Sequence, residues 1–237
     1  MTERELLTAR LTGKRLLAAP SQSYQLDLEV KDGAESEEPR DFEFLSGQFI
    51  SIVADTVYPE GHARAGEPKQ EVKAYSLAAP PRGPHIQLCL NRAGWFSNLL
   101  CDLQIGDAIR FHGPYGAFTR RKPHAPSLFV GADAGIVPIR SIFRDTVPAH
   151  ATLIQTAVTR DDLLYRDEFA SASTLRYLPM IAPEITAVED RVRTLLRDHA
   201  EIQTAYLCGL NEKIAPVRAV LKELGWDRKQ IVFERYD

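Results

Sequence analysis

Hydrophobic and polar positions change rhythm halfway along the chain. Before Arg120 the apolar residues fall in short alternating runs: Tyr24 to Val30, Phe49 to Val53, Val72 to Leu77, Ile86 to Leu90 and Ala108 to Phe111. A period of two is what a strand with one buried face requires, so these runs predict strands. Polar stretches such as Lys31 to Arg40 and Tyr58 to Gln70 separate them, the pattern of a small antiparallel β-barrel. Gly113-Pro114-Tyr115-Gly116 reads as the turn that ends it, and the basic, proline-containing stretch Arg120 to Pro126 as a linker.

Beyond the linker, short apolar runs alternate with helical patterns. Strands are predicted at Ser127 to Val130, Thr152 to Val158, Tyr177 to Ile181, Ala205 to Leu207 and Ile231 to Phe233. Helices are predicted at Pro138 to Thr146, Arg166 to Ser171, Val188 to His199 and Ile214 to Leu224, with Pro138 suited to a first helical turn. Strand and helix in alternation predict a doubly wound parallel α/β sheet, whose ligands lie at the carboxyl ends of its strands. The chain is therefore divided into a barrel domain, residues 1–124, and an α/β domain, residues 125–237.

Composition narrows the function classes. A chain of 237 residues suits two modest domains, and 29 basic against 32 acidic residues give a net charge of −3, with nothing that points to nucleic acid or a membrane surface. No apolar run reaches the ~18 residues of a membrane span, and Met1-Thr2-Glu3-Arg4-Glu5 does not begin like a signal peptide. A cytoplasmic monomer is expected. Cys89, Cys101 and Cys208 are odd in number and scattered, so neither a disulfide framework nor a metal or iron-sulfur site is expected.

The chemistry sits in two strings. Lys73-Ala74-Tyr75-Ser76 closes a hydrophobic run, and Gly94-Trp95-Phe96-Ser97 opens a short helix. Together they hold an aromatic face, a hydroxyl, a cation and a helix start with free N–H donors, which are the groups a flavin dinucleotide needs for its ring, reactive edge and phosphates. Taken alone, the first string also describes an ordinary amphipathic strand. In order along the chain stand Gly47-Gln48-Phe49, Ser97-Asn98-Leu99-Leu100-Cys101-Asp102-Leu103, Leu163-Leu164-Tyr165-Arg166-Asp167-Glu168-Phe169, Cys208-Gly209-Leu210 and Glu234-Arg235-Tyr236. Nearly end to end, this order resembles the ferredoxin-NADP reductase family, in particular its plant and cyanobacterial type.

The resemblance implies a flavin oxidoreductase that binds FAD, exchanges hydride with NADPH or NADH, and exchanges single electrons with a separate ferredoxin, other iron-sulfur protein or flavodoxin. It places Lys73, Ala74, Tyr75, Ser76, Gly94, Trp95, Phe96, Ser97 and Tyr236 on the flavin, with Tyr75 and Tyr236 on its two faces. Ser76, Cys208, Glu234 and Tyr236 become the catalytic set: Ser76 beside the reactive nitrogen, Glu234 for proton exchange, Cys208 against the nicotinamide. Without the resemblance, Cys208 also reads as a small buried hydrophobe and Glu234 as a solvated charge. Tyr58, in the polar loop, is implied near the adenine of FAD.

The nucleotide half departs from the family. Its glycine-threonine turn is here Gly131-Ala132-Asp133-Ala134-Gly135, which adds a carboxylate where a pyrophosphate would sit. The serine-arginine pair that reads a 2′-phosphate is replaced by Ala182-Pro183-Glu184, and Asn91 stands in place of a plant-type lysine. The nucleotide set is thus Gly131, Ala134, Gly135, Thr159, Arg160, Arg166, Cys208 and Gly209. An alternative follows: a flavoprotein electron-transfer or regulatory subunit with a degenerate nicotinamide site. Arg82, Arg92, Arg120, Arg121 and Lys122 are expected to form a basic docking face for an acidic carrier.

Overall fold

The computed structural model describes residues 5–122, 125–145 and 150–236. Six antiparallel strands come first: β1 (Leu7–Ala18), β2 (Ser23–Lys31), β3 (Phe49–Val57), β4 (Pro68–Ser76), β5 (His85–Asn91) and β6 (Ala108–Tyr115). Their order is β4-β3-β6-β1-β2-β5, and a bridge between Leu77 and Leu88 brings the two outer strands together into a barrel. Alternation works as expected: Leu26, Leu28, Ile50, Ile52, Leu88 and Phe111 turn inward and form a core from which water is almost excluded. The helix α1 (Trp95–Asp102) follows β5 and buries Phe96, Leu100 and Cys101 against this core.

Two expectations need correction here. The long strand β1 was not among the predicted runs, because a register shift between Leu11 and Gly13 breaks its alternation and its second half is largely exposed. Gly113-Pro114-Tyr115 is also not a turn. It continues β6, with Tyr115 paired to Phe49, and the register shift beside Ser51 absorbs the change of direction.

The second sheet is parallel, in the order β11 (Ile231–Arg235), β10 (Thr204–Gly209), β7 (Ser127–Ala132), β8 (Ala151–Ala157), β9 (Leu175–Ile181). Strands β7, β8 and β10 are buried at every position, which is why they lack the inward-outward alternation of the barrel strands. Alternate residues enter separate cores. Phe129, Leu153 and Tyr206 pack with α2 (Ile136–Asp145) and α3 (Arg166–Ser171), whereas Leu128, Val130, Ile154 and Leu207 pack with α4 (Ile185–Asp198) and α5 (Asn211–Glu223). The strand order reverses between β7 and β10, and both strands end at the turn where a ligand is expected.

The sheet type changes between Tyr115 and Ser127; Pro123 and His124, at the expected boundary, lie outside the described residues, as does Thr146 at the expected end of α2. Polar contacts join the two halves. Arg140, 4% exposed on α2, donates to the carbonyl of Ala78 at 2.8 Å, to Gln87 at 3.1 Å and to Glu168 at 2.9 Å, and lies 3.9 Å over the Tyr165 ring. Ser141 donates to the carbonyl of Ala79 at 2.8 Å. Helix α2, which begins directly after Gly135, is thereby tied to the chain just after Ser76. Among the described residues no helix is long and apolar enough to cross a membrane, and no group of three or more His, Cys, Asp or Glu side chains could hold a metal.

Candidate flavin and nucleotide site

The end of β4 and the end of β11 come together at the junction of the two sheets. Ser76 Oγ lies 3.3 Å from Glu234 Oε1 and 3.0 Å from the Tyr236 hydroxyl, joining residues about 160 positions apart in the chain. Sheet register brings in a fourth member, because Cys208 in β10 pairs directly with Glu234 in β11. The Cys208 thiol is fully buried in this group, and burial together with the Glu234 charge pushes it well above its ordinary range. Burial also raises the Glu234 carboxyl to about 7, against a smaller opposing effect from the Ser76 hydrogen bond. A carboxyl titrating near neutrality beside a hydroxyl can take up or release a proton at physiological pH.

A cavity of about 450 Å³ opens beside this group, and Lys73, Ala74, Tyr75, Ser76 and Tyr236 all line it. Tyr75 is backed by Phe96, their rings stacked 6.1 Å apart, and burial pushes its phenol up to about 12. Tyr236 keeps 38% of its surface accessible while its hydroxyl also reaches the Ala134 carbonyl at 3.4 Å, so it covers the cavity without filling the core. At the start of α1 no side chain caps the helix, and the space where a Gly94 side chain would project is open. The N–H donors there suit a phosphate. Two tyrosines and a lysine in the lining are residue types that suit a flavin dinucleotide, whereas Gly94, Trp95, Phe96 and Ser97 at the helix start lie outside that lining.

Placement refines several predicted roles. Phe96 is buried behind Tyr75, and so positions the ring. The Ser97 hydroxyl turns back to accept from the N–H groups of Ala93 and Gly94 at 2.9 and 3.1 Å; it shapes the turn, leaving the backbone to face outward. Trp95 meets Phe96 edge to face and is 45% exposed. Tyr58 already stacks on His62 at 4.5 Å beneath the Arg64 guanidinium, so its ring is engaged within its own loop.

A cleft of about 630 Å³ continues from Asn91, Ala134 and Tyr236 past Asp133, Thr159 and Leu210, and a further pocket of about 270 Å³ extends it to Ala182, Glu212 and Lys213. Gly135 packs at the switch point: a side-chain carbon there would lie 2.0 Å from the Cys208 carbonyl oxygen. Gly209, with φ near +145°, follows on β10. Of the remaining nucleotide set, Gly131 is buried in β7 against Ile136. Arg160 and Arg166 do not join the cleft. They line a separate groove beside Arg15 to Pro20, and Arg166 pairs with Asp167. Asp133 does line the cleft, but Lys213 Nζ lies 2.6 Å from its carboxylate and offsets the expected repulsion. No local signal marks that pairing, since the fold brings the two residues together across 80 positions.

No family model matches the chain. The chain is 32% identical to ferredoxin-NADP reductase B of Sorangium cellulosum (strain So ce56), over 100% of both chains. It belongs to the ferredoxin-NADP reductase family. This member is also 27% identical to the reductase component of propane 2-monooxygenase from Rhodococcus jostii, over 84% of its own length and 57% of that protein. Among solved structures, the ferredoxin NADP+ reductase of Neisseria gonorrhoeae, determined with bound FAD and NADP, has the same fold, with a TM-score of 0.77, 17% identity and coverage of 99% and 100%.

Proposed function

We propose that this family member is an FAD-dependent oxidoreductase that exchanges hydride with a nicotinamide dinucleotide and single electrons with a separate ferredoxin- or flavodoxin-type carrier. Residues 1–124 hold the flavin and residues 125–237 the nucleotide. The observation that carries this reading is the meeting of Ser76, Glu234 and Tyr236 at the edge of a cavity walled by Tyr75. Bound flavin supplies the conversion between two-electron and one-electron traffic. The chain supplies everything else.

Tyr75 and Tyr236 orient a planar ring and keep water from its faces. Ser76 offers a hydroxyl at the ring edge, and Glu234 holds the exchangeable proton one hydrogen bond away. Lys73 and the N–H groups after Gly94 hold the phosphates. Cys208, expected against the nicotinamide, is fully buried and outside the lining of cavity and cleft; it acts by packing beside Glu234, its thiol held protonated by burial.

Glu234 also forms part of the wall of a second groove, about 670 Å³, lined by Arg121, Arg218, Lys222 and Arg228 with Phe233 and Trp226. Four cations against the two carboxylates Asp227 and Glu234, beside an exposed phenylalanine, leave a positive excess that suits an acidic carrier docking close to the redox site. This groove shares Arg121 with the basic face expected from the sequence, and Arg92 of that face is paired with Asp102 at the end of α1. The test is direct. Purified protein reconstituted with FAD should be yellow, and a nicotinamide dinucleotide should bleach it within seconds under anaerobic conditions. Protein that stays colourless with FAD, or is bleached by dithionite alone, contradicts the reading.

A further inference from the structure

The flavin cavity, the cleft and the distal pocket form one path. Asn91, Ala134 and Tyr236 belong to the first two, and Ala132, Asp133 and Val158 to the last two. A dinucleotide with its nicotinamide against Tyr236 therefore lays its other nucleoside toward the distal pocket, past the carboxyl ends of β7 and β8. The charged side chains lining that pocket are Asp133, Glu212 and Lys213. Lys213 is already engaged by Asp133, and Glu212 stands exposed in the first turn of α5, so the lining carries one more negative charge than positive. The rest is apolar or neutral, including Ala182, Pro183 and Ile185. The nearby guanidinium groups of Arg160 and Arg166 line the other groove.

We propose that this pocket selects an unphosphorylated ribose, making NADH the preferred nicotinamide over NADPH; the inference rests on the function proposed above. A 2′-phosphate brings up to two negative charges toward Glu212, and can gain Lys213 only by leaving the Asp133 carboxylate beside an anion. A 2′-hydroxyl brings no charge and can donate to a carboxylate, the role an acidic residue has in NAD sites of doubly wound sheets.

Two readouts test this on the FAD-loaded protein. Anaerobic flavin reduction should give NADH a kcat/KM about tenfold or more above that of NADPH, and calorimetry should find 5′-AMP binding more tightly than 2′-phospho-AMP. Glu212→Lys should raise the NADPH to NADH ratio by about tenfold and reverse the calorimetric order, and Glu212→Gln, which keeps the side-chain size, should move both in the same direction by less. Equal or preferred use of NADPH by the wild type, tighter 2′-phospho-AMP, or ratios unmoved in both variants would overturn the proposal. Failure of both dinucleotides to reduce a flavin that dithionite reduces would instead contradict the function, while the calorimetric order would still decide the selectivity.

Discussion

Glu234 is placed to make a buried carboxyl useful near neutral pH. Its folded value of about 7 lies above the ordinary 4.5, so the native state holds the extra proton between these values. Its contribution to stability is therefore full below about 4.5 and falls as the pH rises through about 7. Glu234→Gln should flatten this part of the stability profile in denaturant titrations, and should remove an inflection near pH 7 from the rate of flavin turnover. Ser76→Ala breaks the link to both Glu234 and Tyr236 and should slow hydride exchange by about a hundredfold, with flavin still bound; stopped-flow absorbance measures it. At this scale the sequence was readable where residues act through local strings, as in Lys73 to Ser76. It was not readable for Lys213, whose partner Asp133 is brought to it by strand order alone.

Element by element, the turn before α2 and the chain after β4 are joined by hydrogen bonds. Helix α2 starts at the turn and, through Arg140 and Ser141, grips the carbonyls of Ala78 and Ala79 two and three residues after Ser76. Arg140→Met should cost about 2 kcal/mol, because the charged hydrogen bonds to Ala78 and Glu168 are lost together, and should shift the absorbance of bound flavin; urea titration and the visible spectrum report the two effects. Gly135→Ala should be more harmful to nucleotide binding than to flavin binding, since the added carbon drives the turn away from Cys208. Most elements follow from periodicity, including α3, whose bounds match the expected Arg166 to Ser171. Strand β1 was hidden because its irregular register and exposed second half erase the alternation that reveals a strand.

On the scale of the whole molecule, one buried constellation faces two different openings. The cavity and cleft lie on one side of Glu234, and the basic groove with Arg218 and Lys222 lies on another. Replacing Arg218 and Lys222 together by glutamate should raise the KM for an acidic carrier by about tenfold at low salt, with the difference shrinking as salt screens the charges. The two-sheet architecture was legible because barrel strands alternate and parallel strands do not. The cavity walls were legible only in part: Asn91 stood out in the sequence, whereas Glu212 and Lys213 enter through tertiary placement. The central claim is that a flavin ring lies between Tyr75 and Tyr236 with Ser76 and Glu234 at its edge. A crystal structure of the protein reconstituted with FAD tests it most directly: the expected result is ring density between the two tyrosines within reach of the Ser76 hydroxyl, and a ring bound elsewhere, or a cavity closed by Tyr236 with no flavin, would contradict it.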